Sequence, residues 1–229
     1  MRLSATPNEK MKLYKLAYAC SLYGQDDAEY RGMRETLGKN PDLASPEQQD
    51  KLLQFLNEWK CRIAKNDFPK LKQKLQQWWA ENQCKLPGKN IRDLDDSERK
   101  QIESAYQELL NYGAGLRFQD TAAAKTLHIL RPDTLPMWDA KIREWFTDEV
   151  GKTYSDFVRH VAVEELSELE KDVERLGYSL NEVPQLVHSA AVDVSLVKLV
   201  DEYYFVTKTL GYNVPTREQA DKWLSWMPK

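Results

Sequence analysis

The chain has 229 residues, 41% hydrophobic and 30% charged, with a formal net charge of −3. That length can bury a substantial core, as one large domain or two small ones, and the composition excludes a disordered chain. No apolar run approaches the roughly 18 residues of a membrane span, the N-terminal residues lack a signal-peptide core, and the acidic balance excludes a globally basic nucleic-acid binder.

Helical periodicity then runs almost unbroken along the chain. The first helix is predicted over 7–23, with Met11, Tyr14, Tyr18 and Leu22 at helical spacing. Ser45-Pro46 reads as a cap followed by proline at the first helical position, and Leu52, Leu53, Leu56 and Trp59 form the stripe that follows. A further helix carries Leu71, Leu75, Trp78 and Trp79. The stretch 82–96, "NQCKLPGKNIRDLDD", is the most loop-like and is a candidate junction between two lobes of a single 1–229 domain; its Pro-Gly is an ordinary turn. Asp95 or Asp96 caps the next helix, with Ile102, Tyr106, Leu109 and Leu110 on one face. Another helix begins at Asp120 or Thr121, and another at Asp139, stopping at Gly151. A long helix over 154–177 ends in glycine. A short one over 184–189, a long one over 196–210 and a last one capped by Thr216 complete the chain. No strand alternation emerges, so the fold class is all-α, about ten helices in two lobes.

Charge is unevenly distributed. Lys60, Arg62, Lys65, Lys70, Lys72 and Lys74 crowd one segment with Asp67 as the sole opposing charge, while 163–174 is mostly acidic. Such a front and back either contact phosphate locally or are two solvated helix faces. Cys20, Cys61 and Cys84 form no CxxC pair, which points to a reducing cytoplasm and away from zinc or iron–sulfur clusters. His128, His160 and His188 are isolated in sequence and offer no metal-ligand set, so neither metal nor cofactor is expected.

The most informative stretch is "TAAAKTLHILRPDTLPMWDAKIREWF", 121–146, where Pro132 and Pro136 bracket a loop that delivers Asp139 to a helix start. Asp is a good N-cap, and a carboxylate held rigidly at a helix N-terminus is also a useful catalyst. One residue can do both. Together with "YGAGLRFQD" before it, this stretch resembles the heart of the helix-hairpin-helix DNA glycosylase superfamily. "EWKCRI", 58–63, is similar to a Trp-Lys-x-Arg element in bacterial relatives of that superfamily.

The resemblance implies an enzyme that hydrolyses the N-glycosidic bond of a damaged or modified base in duplex DNA, in repair or in defence against phage with modified DNA. Asp139 would be the catalytic carboxylate. Gly113 and Gly115 would stand in the hairpin, and with Thr121 and Lys125 would hold the DNA backbone, while Lys60 and Arg62 add contacts. Trp59 and Trp138 would wall the pocket for a flipped base. The hairpin departs from the family's usual Leu-Pro-Gly-Val-Gly pattern. Asp120 precedes Thr121 where lyase-competent members carry lysine, so the expected enzyme is monofunctional and uses water. It is expected to act as a cytoplasmic monomer. The runner-up is a non-catalytic DNA-binding or protein-interaction module with the same fold. A third reading is a helical interaction domain in which Asp139 only caps.

Overall fold

The computed structural model describes residues 11–23, 28–188 and 194–224, without the side chains of 223 and 224. Helix is the regular secondary structure of the described residues, with no strand among them. In order they form α1 (Leu13–Tyr23), α2 (Ala28–Leu37), α3 (Pro46–Glu58), α4 (Phe68–Asn82), α5 (Asp96–Gly113) and α6 (Asp120–Leu130). There follow α7 (Ala140–Glu149), α8 (Tyr154–His160), α9 (Leu166–Arg175), α10 (Val183–Val187), α11 (Leu196–Tyr204) and α12 (Arg217–Leu224).

Helix starts follow the local chemistry. The Ser45 hydroxyl accepts from the Gln48 N–H, with Pro46 in the first turn of α3. Asp95, not Asp96, closes a capping box with Glu98 at the start of α5. Thr216 accepts from Gln219 N–H before α12. Each satisfies backbone donors that a helix start leaves free. The stretch expected as one long helix over 154–177 is continuous, but residues 161–165 between α8 and α9 widen into a π turn. It ends at Gly177 with φ of 84°. After α11, residues 205–209 wind as a second π turn before Gly211. The short helix expected over 184–189 runs Val183–Val187; residue 189 and the N-terminal part of the 7–23 expectation lie outside the described residues.

One face was misassigned by periodicity. Of the stripe Met11, Tyr14, Tyr18 and Leu22, only Met11 is buried, and Leu22 is 41% exposed. Instead α1 buries Leu16, Ala19, Cys20 and Tyr23, because that side packs against α11. Aromatic side chains tolerate partial exposure, so they marked the boundary of the buried face rather than its centre.

Buried side chains from α1 through α11 form one continuous cluster. Trp78 and Trp79 both belong to it, and the Trp78 indole N–H donates to the Ala105 carbonyl at 2.9 Å. The 82–96 stretch is stitched to the loop before α7. Arg131 Nε donates to the Leu86 carbonyl at 2.9 Å, Ile91 N–H donates to the Asp133 carbonyl at 3.0 Å, and the Thr134 hydroxyl donates to the Lys89 carbonyl. That stitching fixes the loop that presents Asp139.

Candidate functional site

The loop at 131–138 buries residues 134–138 in succession and delivers Asp139 half-exposed. Trp138 is 2% exposed and lies between aromatic rings: Phe157 stacks on it at 5.7 Å with planes 10° apart, and Tyr154, Phe146 and Tyr106 surround it at 5.7 to 6.2 Å. The Tyr154 hydroxyl donates to the Pro136 carbonyl at 2.7 Å. Trp138 is therefore a core anchor, and the expectation that it walls a base pocket is corrected. The reason is the step from loop to helix, which sends neighbouring side chains in opposite directions.

Asp139 faces the other way, half-exposed, at the start of α7. Its Oδ1 accepts from Lys141 N–H at 2.8 Å and Ile142 N–H at 2.9 Å, which makes it the N-cap. Its Oδ2 accepts from the Thr209 hydroxyl at 2.7 Å, across from the π turn after α11. The carboxylate is thus oriented from both sides. It lines an open cleft of about 860 Å³, within the range of small-molecule sites.

Trp59, Lys60, Arg62, Thr121 and Lys125 line the same cleft. The packing of α3 against α6 brings 58–63 beside 121–139. Lys125 Nζ donates to the Trp59 carbonyl at 2.7 Å and lies 5.2 Å from the centre of its ring. One of three ammonium donors is therefore committed to the scaffold, and two are left for a ligand.

Gly113 and Gly115 are not among the lining residues. Gly113 is buried at the end of α5, where an added Cβ would come within 2.6 Å of Phe118. Its role is close packing of the α5–α6 turn, which corrects its expected role as a backbone phosphate anchor. Gly115, with φ of 78°, is exposed in that turn. Asp120 accepts from the Tyr106 hydroxyl at 3.0 Å and lies 3.8 Å from Arg143, linking α5, α6 and α7 outside the cleft.

The backbone supplies a feature that periodicity hides. Among the described residues, the non-glycine residues with positive φ are Lys60 (64°), Arg62 (56°) and Arg117 (53°), and all three are cations on the cleft. Each left-handed conformation costs an ordinary side chain roughly 1 kcal/mol or more. Lys60 takes the left-handed place after α3 where glycine is usual, and Cys61 N–H reaches back to the Leu56 carbonyl at 2.9 Å. The Asn57 side chain then clamps both backbone groups of Ile63, at 2.7 and 2.9 Å. The loop carrying Lys60 and Arg62 is therefore held at both ends.

Asp201 is the residue that sequence reasoning missed most consequentially. It lies on α11, 6% exposed, and lines the cleft with Asp139. Burial drives its carboxyl up to about 7; Lys198 opposes this, and Asp139 and Glu202 add to it. A signal existed: Val197, Asp201 and Tyr204 share one helical stripe, so an acid interrupts an apolar face. Behind it, fully buried Lys198 lies 3.1 Å from Glu202 and 4.3 Å from the Tyr23 ring centre, and His188 lies 3.1 Å from Glu202. Cys20, His188 and Glu202 bring ligand atoms within 4.8 Å of one another, a set that sequence spacing hid. The Lys198 ammonium already supplies the countercharge there, and burial and Glu202 push the Cys20 thiol far up. His128, expected to lack partners, is buried between the Tyr30 hydroxyl at 3.0 Å and the Leu135 carbonyl at 2.7 Å.

No family model matches the chain, and no curated protein or solved structure matches it either. Among the described residues, no helix is long and apolar enough to cross a membrane.

Proposed function

We propose that the protein is a monofunctional DNA glycosylase that hydrolyses the N-glycosidic bond of a damaged or modified base, with Asp139 as its catalytic carboxylate. One observation carries the reading: an oriented carboxylate lies in a cleft bordered by three cations in left-handed backbone conformations, Lys60, Arg62 and Arg117. In that reading the cations hold phosphates on either side of a flipped nucleotide, and the cleft receives its base. As the C1′–N bond breaks, its electron pair leaves with the base and positive charge develops on the sugar. The Asp139 carboxylate stabilises that charge and takes a proton from the water that bonds to C1′. No lysine precedes Thr121, so no Schiff base forms and the strand stays intact. Damaged host bases and hypermodified phage bases are both candidate substrates.

A second reading, a non-catalytic DNA-binding module, has an observation in its favour: Asp139 already accepts two capping hydrogen bonds and one from Thr209, and Gly113 is closed off by Phe118. The test is base release from duplexes carrying a panel of modified bases, with wild type and Asp139→Asn. Release lost in the variant while DNA affinity persists supports the enzyme. Tight binding without release from any duplex supports the module, and no binding at low salt removes both.

A further inference from the structure

We propose that Asp201 is a second catalytic residue of this cleft, a carboxylic acid that reads the flipped base by its edge and protonates it as it leaves, and that the substrates are bases with an amidine edge, cytosine-type or adenine-type. This rests on the glycosylase reading of Asp139.

The geometry begins with two carboxyls in one cleft and two different surroundings. Asp139 is half-exposed, caps a helix and takes three hydrogen bonds. Asp201 is 94% buried by its 6% exposure, and no described residue donates a hydrogen bond to it. Lys198 comes only to 3.7 Å, because its ammonium is drawn to Glu202 at 3.1 Å, and His188 takes the other Glu202 oxygen at 3.1 Å. The groups facing Asp201 are therefore Lys198 and Glu202 on its own helix, Asp139 at α7, Lys125 on α6 and Cys20 on α1. Among the described residues, a second buried negative charge beside Glu202 has Lys198 at 3.7 Å and no hydrogen-bond donor closer. The proton stays on Asp201 into the neutral range, in keeping with its rise to about 7. One oriented, half-exposed carboxylate and one buried carboxyl in a single cleft can divide the base and acid roles between them.

A protonated carboxyl offers one O–H donor and one carbonyl acceptor side by side. Cytosine N3 with its amine, and adenine N1 with its amine, present the complementary acceptor and donor. Uracil, thymine and guanine present an N–H beside a carbonyl, which the same acid can pair with, but they offer no unprotonated ring nitrogen on that edge to take its proton. The contact that recognises the base is also the one that activates it. Asp201 gives its proton to the ring nitrogen as the C1′–N pair moves onto the base, which leaves as a neutral tautomer. The proton taken from water by Asp139 restores the acid through solvent, and the hydrolysis balances.

Asp201→Asn separates recognition from proton transfer, since an amide keeps a donor and an acceptor but has no proton to give. Single-turnover release is measured over about pH 5 to 9 from duplexes containing hydroxymethylcytosine, N6-methyladenine, hydroxymethyluracil and hypoxanthine. The expected result is release confined to the first two, falling on the alkaline side with one ionisation. Asp201→Asn binds the same duplexes as wild type, loses about 100-fold or more in rate, and loses that alkaline limb. Asp201→Leu loses binding preference as well. Aspartate carboxyl ¹³C titration of the wild type checks the acid directly, with a resonance near 7 that is missing in Asp201→Asn. Release that Asp139→Asn abolishes but Asp201→Asn retains, alkaline limb included, overturns the role of Asp201 alone. Release of only the uracil-type and hypoxanthine bases overturns the edge assignment. No release of any base by wild type overturns the glycosylase reading and this inference together.

Discussion

Trp138 and Asp139 are adjacent in the chain and stand in opposite surroundings. Behind them, four aromatic rings close on Trp138 with no cleft atom among them. In front, the wall is charged and backbone-strained, with Asp139, Asp201, Lys60, Arg62 and Arg117. The contrast teaches a division of labour: the apolar side fixes where the loop sits, and the polar side keeps groups in states that an isolated chain would not choose. Four perturbations test whether that division is real.

The largest effect is expected behind the loop. Trp138→Ala removes a large buried side chain and should cost about 3–5 kcal/mol in urea unfolding. Trp138→Phe should cost far less, because the indole N–H has no hydrogen-bond partner to lose. If Trp138→Ala is nearly neutral in stability yet changes DNA binding, the two sides are not separate and Trp138 belongs to the pocket after all.

In front, Asp139→Asn should leave unfolding free energy nearly unchanged, since Asn caps helices as well as Asp and its amide can still face the Thr209 hydroxyl. Base release should fall by about 100- to 1,000-fold, roughly 2.7–4 kcal/mol of transition-state stabilisation. A variant that unfolds while retaining its specific activity would make the carboxylate structural.

Much of this was legible in the sequence. The all-helical class, the Asp139 and Thr216 caps, a cap at Asp95 or Asp96 and the inward stripes of α3 to α5 follow from local rules, because caps and periodicity act within a few residues. The resemblance assigned residues 59–62 and 121–139 to one site, and both stretches line one cleft. What could not be read there depends on long-range packing or on backbone dihedrals. Sequence spacing does not say that α1 turns Ala19 and Cys20 toward α11, that Phe118 closes over Gly113, or that Arg117 adopts a positive φ. Asp201 was visible as a charge in an apolar stripe, yet only the meeting of α11 with the start of α7 makes it part of a site.

The pH dependence of stability sharpens the comparison further, because two buried groups oppose each other. Burial lowers His128 to about 3, so between its unfolded value near 6.5 and that point the unfolded chain binds the extra proton and stability falls as pH falls. Asp201, raised to about 7 from 3.8, holds its proton in the folded state, so its contribution is complete below 3.8 and is lost as pH rises toward 7. Each slope is about 1.4 kcal/mol per pH unit, with opposite sign, over the shared window. Wild type should therefore change little between about pH 4 and 6.5 from these two groups. Asp201→Asn should be more stable than wild type at neutral pH and then lose stability more steeply in acid. Parallel profiles for the two proteins in urea titrations would show that Asp201 ionises as freely folded as unfolded.

The smallest effect tests the strained loop. If Lys60 and Arg62 hold left-handed backbone for the sake of the charges they carry, glycine should relieve the strain while removing the charge. Lys60→Gly and Arg62→Gly should each stabilise the fold by about 0.5–1 kcal/mol or leave it unchanged, since the left-handed gain is partly offset by the greater freedom of unfolded glycine. Alanine at either position should destabilise, because it keeps the strain and loses the side chain. DNA binding should weaken for all sequences alike in the glycine variants, since phosphate contacts carry no base information. The slope of log K against log[salt] should flatten by about 0.9 for each phosphate released. A glycine variant that gains stability and loses no affinity would leave the strain without a function, and the basic residues of the cleft would then be ordinary solvated cations on an unusual turn.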